Sequence, residues 1–117
     1  MKQVFREVDI DAIENEGYII DSSGVIISNK GRQPRVLKAG TNNCGYKVVN
    51  LRIQMRSELF LVHRLVALKF VAPILDSPYV NHIDVDKSNN DVSNLEWCTH
   101  SHNVQHAYDT GLLVLTR

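Results

Sequence analysis

A histidine preceded by an asparagine, Asn81-His82, is the position in this chain with the plainest capacity for chemistry. A neutral imidazole, whose pKa in water is about 6.5, accepts a proton near neutral pH and can act as a general base toward water. Asn81 and Asn103 carry side-chain carbonyl oxygens, hard donors that suit Mg²⁺ or Mn²⁺ and leave coordination sites open for water and phosphate oxygens. Each residue also has an ordinary role open to it. Asn81 and His82 can be turn residues at a strand end, Asn94 a local backbone cap, and Asn103 a polar helix residue facing solvent. A calcium loop is a poor fit. Asp84-Val85-Asp86-Lys87-Ser88 starts like an EF-hand, but Asn89 stands at the sixth position and Leu95 at the twelfth, and starting at Asp86 instead puts Asp91 and Trp97 there. These acids are expected to solvate a turn.

The elements that must position these residues can be read locally. Tyr79-Val80 and Leu95-Glu96-Trp97-Cys98 are short apolar pieces on either side of a loop full of Asp, Asn and Ser, which reads as strand, loop, strand. Thr99 is a candidate N-cap for a helix ending at Gly111. Upstream, Tyr18-Ile19-Ile20 and Val25-Ile26-Ile27 flank Asp21-Ser22-Ser23-Gly24 and predict a hairpin. A basic loop, Lys30 to Arg35, precedes a weak strand at Val36-Leu37-Lys38 and a second turn, Thr41 to Gly45. Tyr46 to Ile53 alternates, with Lys47, Val49, Leu51 and Ile53 on one face and Tyr46, Val48, Asn50 and Arg52 on the other. One face is expected to be buried and the other to suit a phosphate backbone. Leu59 to Phe70 is apolar at helical spacing, with Pro73 beyond as a stop, and predicts a central helix. The acidic stretch before Gly17 reads as a short helix or an irregular edge piece.

The ordered set of Asn81, His82, Asn94 thirteen positions after Asn81, and Asn103 nine further on resembles the signature of the HNH endonucleases, the ββα-metal motif. Val62-His63-Arg64-Leu65-Val66-Ala67, Asn94-Leu95-Glu96-Trp97-Cys98-Thr99 and Asn103-Val104-Gln105-His106-Ala107 are similar to phrases of the phage and intron homing branch. Tyr18 to Ile26, followed by Gly45 to Leu51, resembles the module that often precedes HNH there. The resemblance implies a DNA endonuclease that hydrolyses phosphodiesters, nicking duplex DNA at one site per chain. In that reading His82 is the base and Asn94 the residue that ties the loop together by hydrogen bonds. Asn81 and Asn103 hold Mg²⁺ or Mn²⁺, with His106 one turn later as a candidate further ligand or phosphate contact. Several homing members carry Asp where this chain has Asn81, which puts metal affinity in question, and His102 stands where an acid is more usual.

Over its 117 residues, 44% of them hydrophobic, the chain has material for one core. The fold class expected is α+β: a β-rich basic lead-in over residues 1–58, then the central helix and ββα-metal motif over 59–117, folding as one cooperative unit. Cys44 and Cys98 have no CxxC partner, so neither a structural zinc nor a disulfide framework is expected. No apolar run reaches the ~18 residues a membrane helix needs, and an intracellular, cytoplasmic protein is expected, monomer or homodimer.

Net charge is zero, yet residues 30–69 hold nine Lys and Arg against Glu58 alone, and residues 1–21 are acidic. Phosphate affinity follows local cation density, so Arg32, Arg35, Lys47, Arg52 and Arg64 are the candidate contacts to double-stranded DNA. Arg64 is assigned to DNA and its neighbour His63 to a satisfied structural role. Two other functions compete: a DNA-binding protein that keeps the HNH framework without cleaving, favoured by the neutral ligand set, and a protein-interaction module.

Overall fold

The computed structural model describes residues 10–99. Asn103, His106 and the helix expected to run on from Thr99 lie outside the described residues.

Turn chemistry builds the first sheet. The Asp21 carboxylate accepts hydrogen bonds from the Ser23 amide, at 3.0 Å, and from the Ser23 hydroxyl, while Gly24 takes a φ of +91° that a side chain would strain. Tyr18–Ile20 (β1) is thereby folded back on Ile26–Ser28 (β2), and Arg35–Val36 (β3) pairs along β2's other edge. The expected hairpin is present, and the weak third strand lies one residue earlier than its composition suggested. A short helix, Ile10–Asn15 (α1), precedes it and buries Ile13.

A second Asx turn starts the next sheet. Asn42 Oδ1 accepts from the amides of Cys44 (3.0 Å) and Tyr46 (2.9 Å), joining Gly40–Thr41 (β4) to Lys47–Ile53 (β5). β5 alternates as expected, with Val49 and Leu51 buried and Asn50 and Arg52 exposed. Arg56–Leu61 (β6) then returns through a two-residue turn, Ile53 opposite Arg56, in which Gln54 and Met55 both have positive φ, 50° and 68°. The helix does not start at Leu59. Leu59, Phe60 and Leu61 pair with Asn50, Val49 and Val48, and only Val62–Phe70 (α2) is helical. An apolar run fits either period, and the ladder open along β5 claims its first three residues.

α2 is the packing centre. Leu65, Val66 and Ala67 are wholly buried, and the helix touches α1, β1, β5 and β6 as well as the last strand pair. That pair is Tyr79–His82 (β7) and Leu95–Cys98 (β8), antiparallel, with His82 opposite Leu95. The Trp97 indole donates to the Val71 carbonyl at 3.1 Å, seating β8 on the end of α2. Lys69 Nζ reaches Glu14 at 2.5 Å and the Ile20 carbonyl at 3.2 Å, fastening the helix to α1 and β1. One apolar cluster runs from Ile13 and Ile20 through Leu51 and Leu65 to Val80 and Trp97. The architecture is α+β. Among the described residues no helix is long and apolar enough to cross a membrane.

Candidate active site

His82 closes β7 and is 5% exposed. The loop after it is built from side chains that replace missing backbone partners. Asn94 does most of this: its Oδ1 accepts from the Asp84 amide at 2.9 Å, and its Nδ2 donates to Asp84 Oδ1 at 2.8 Å and to the Asn89 carbonyl at 3.0 Å. The Asn94 carbonyl also receives the Ile83 amide at 2.8 Å. The loop acids each close a turn, Asp84 on Asp86, Asp86 on Ser88 and Asp91 on Ser93. Hydrogen bonds, first from Asn89 and next from the Asp86 amide, hold the Asp84 carboxyl below its ordinary range. The turns are tight enough to force Val85, a β-branched residue, to a φ of +60°.

The His82 ring is fixed on two sides. Its Nε2 lies 2.7 Å from Asn90 Oδ1, and the His63 ring stands 4.9 Å away, centroid to centroid. Tyr46 stacks on His63 at 4.9 Å and lies 6.0 Å from His82. Lys87 sits over the outer part of this group, 4.8 Å from the Tyr46 ring, and donates to the Cys44 carbonyl at 2.8 Å. His63 corrects an expectation. It is buried as a structural histidine would be, but among the described residues its Nδ1 has no hydrogen-bond partner. Burial, then the neighbouring His82 and Arg64, push its pKa down to about 3, so the ring stays neutral.

Asn81 is 6% exposed, one residue before His82 on β7, and its Nδ2 also lacks a partner among the described residues. An amide left unpaired in a buried place is costly unless something else engages it. Asn81, His82 and Asn94 are thus gathered in one strand-loop-strand unit, and Asn103 and His106 fall outside the described residues.

The basic residues divide into separate groups. Arg35 and Arg52 line a hollow of about 390 Å³ with Lys30, Asn50 and Tyr18, and Arg32 is exposed in the loop beside it. Lys47, on the other face of β5, donates to Thr41 Oγ1 at 2.9 Å. Arg64 is half-buried, donates to the Pro78 carbonyl at 2.8 Å and lies over the Trp97 ring at 5.6 Å. Burial lowers its guanidinium from the ordinary value.

Tyr46, His63 and Asn90 were not among the site residues read from sequence. No local pattern separates Asn90 from Asn89, and the ring stack joins residues far apart in the chain.

A buried histidine at the end of one strand, an asparagine tying the loop, and a returning strand are thus set side by side, within residues 79–98. The HNH endonuclease family model matches residues 60–105, and that segment belongs to the HNH endonuclease family. Three relatives show how far the likeness extends. YosQ, from the SPbeta prophage of Bacillus subtilis strain 168 and assigned to the HNH homing endonucleases, is 39% identical over 102 residues, covering 86% of this chain and 58% of its own length. L245, an uncharacterized HNH endonuclease of Acanthamoeba polyphaga mimivirus, is 34% identical over 102 residues, covering 87% of this chain and 30% of its own. DNA endonuclease I-HmuI of Bacillus phage SP01 is 31% identical over 109 residues, covering 93% of this chain and 61% of its own. The solved structure of that homing endonuclease, in DNA binding and cleavage, superposes with a TM-score of 0.75 at 29% identity, over 88% of this chain and 59% of that one. The chain therefore spans less than two thirds of the length of each of these relatives.

Proposed function

We propose that the chain hydrolyses phosphodiester bonds in double-stranded DNA as a homing-type HNH endonuclease, with His82 as general base and one strand cut per site. The observation that carries this reading is the buried His82 ring, held at Nε2 by Asn90 and packed against His63, on a strand pair that lies inside the segment matched by the HNH endonuclease family model. With Nε2 engaged, Nδ1 is the nitrogen left to take a proton from water. As that proton moves to His82, the water oxygen bonds to phosphorus and an ester P–O bond breaks, the departing oxygen leaving with the electron pair.

The residues fit a divalent cation. Asn81 is buried, with its Nδ2 uncommitted among the described residues, and rotation of that amide turns its carbonyl oxygen to a cation without breaking a hydrogen bond at that nitrogen. Asn81 would hold the cation together with Asn103, and His106 is a candidate third contact. Mg²⁺ or Mn²⁺ suits so sparse a set of neutral oxygens, the remaining positions going to water and phosphate. When bound, the cation supplies charge neutralisation at the transferring phosphate and at the departing oxygen. Residues 1–58 would serve as the DNA-binding lead-in, with Arg32, Arg35, Lys47, Arg52 and Arg64 as phosphate contacts, and 59–117 as the nuclease motif. The shared apolar cluster favours one cooperative unit.

The test is a supercoiled plasmid incubated with the protein in Mg²⁺, in Mn²⁺ and in EDTA, beside His82→Ala. Open-circle product is expected only with metal and only with His82 present, while the variant still binds DNA. A chain that binds DNA and nicks it in neither metal would be a non-cleaving framework protein.

A further inference from the structure

Asn90 lies at the meeting point of the two halves of the chain. It is 6% exposed, and its Oδ1 is 2.7 Å from His82 Nε2. Its backbone rests against the β1–β2 turn: a Cβ built on Gly24 would come within 2.8 Å of Asn90 Cβ and 2.9 Å of the Asn90 carbonyl oxygen. Two residues on, the Val92 amide donates to the Ser22 carbonyl of the same turn at 2.7 Å. The turn is thus pressed onto the loop at Asn90 and tied to it next door.

We infer that Asn90 is a positioning residue for His82, its side-chain carbonyl accepting from Nε2–H so that Nδ1 keeps the free lone pair, and that the β1–β2 turn sets Asn90 in place through the bare α-carbon of Gly24. This deepens the nuclease reading and rests on it. A carbonyl acceptor opposite one ring nitrogen fixes both tautomer and ring orientation, and the loss of such a partner costs metal-bound histidines roughly 10- to 100-fold. Gly24 is required for two separate reasons. Its φ of +91° disfavours any side chain, and the space a methyl group needs is filled by Asn90.

The experiment has two arms on the full-length chain. In the first, the ¹⁵N-labelled protein is observed by long-range ring correlations. His82 is expected as the Nε2–H tautomer with a slowly exchanging ring proton. Asn90→Leu, which keeps size but has no acceptor, loses that protected proton, and Asn90→Asp, which restores an acceptor, recovers it. Gly24→Ala gives the same loss as Asn90→Leu. In the second arm, nicking by Asn90→Leu falls roughly 10- to 100-fold in kcat with KM little changed, and Asn90→Asp recovers most of it. An Nδ1–H tautomer in the unaltered protein, or an Asn90→Leu variant with the same protected proton or an unchanged kcat, overturns the inference. The first arm needs no DNA, so a protein that nicks nothing but shows the expected ring proton loses the nuclease reading and not the positioning.

Discussion

The buried His63 ring makes a quantitative prediction that needs neither DNA nor metal. Its pKa is pushed down to about 3 in the folded chain, against about 6.5 for a free imidazole. Between those values the unfolded chain binds a proton that the folded chain refuses, so stability rises with pH across the window and falls as the solution is acidified. Integrating the one-site linkage, the His63 contribution costs almost nothing at about pH 7.5 and about 2 kcal/mol at about pH 5, close to a 30-fold change in the folding equilibrium. His63→Phe keeps a ring in the stack with Tyr46 and His82 and removes the titrating group. Urea unfolding of both proteins at the two pH values should show the loss on acidification smaller by about 2 kcal/mol in His63→Phe, with the groups common to both cancelling in the difference. Equal pH dependence in the two proteins would refute the reasoning, since it would mean that His63 takes up its proton in place.

The proposed DNA surface and the strained loop can be tested in the same way. Replacing Lys47 and Arg52 together by Ala should weaken DNA binding and flatten the dependence of log K on log salt by about 1.8, about 0.9 for each phosphate no longer neutralised, measured by titration at several salt concentrations; an unchanged slope would move the DNA surface elsewhere. Val85→Gly should stabilise the fold by about 0.5–1 kcal/mol, because the left-handed φ of +60° costs an ordinary residue roughly 1–2 kcal/mol and glycine gives back roughly 0.5–1 in chain entropy. A lower urea midpoint for that variant would show that the packing of the valine side chain outweighs the backbone strain.

How much of this was legible beforehand varies with the range of the interaction. The β1–β2 hairpin and the alternation of β5 follow from local chemistry, Asp21 and Gly24 in one case and period-two burial of Val49 and Leu51 in the other. The β5–β6 turn was not visible, because Gln54-Met55 lacks the Asn-Gly or Gly signature of a two-residue turn and adopts positive φ regardless. Without that turn, β6 had no visible start and its last residues were assigned to the helix. At the site, His82 and Asn94 could be singled out because they stand at a set spacing within one short stretch of chain. Asn90, His63 and Tyr46 meet His82 through contacts made by the tertiary fold: the turn at Gly24, far back in the chain, packs against Asn90, and the two rings reach His82 only once the residue before β5 and the start of α2 are brought together.

The two turns that press on the loop, at Ser22–Gly24 and at Cys44–Tyr46, also bear on how such chains can be recombined. A crossover near residue 58 looks harmless on a linear map, because it leaves the family motif whole. In space it parts His82 from the turn that seats Asn90 and from the tyrosine stacked beside it. A chimera that joins residues 59–117 to a foreign lead-in should therefore keep His82 seated as it is here only if the donor supplies matching contacts at both turns. A designer recombining such chains should carry residues 22–24 and 44–46 along with the loop they touch before choosing where to cut.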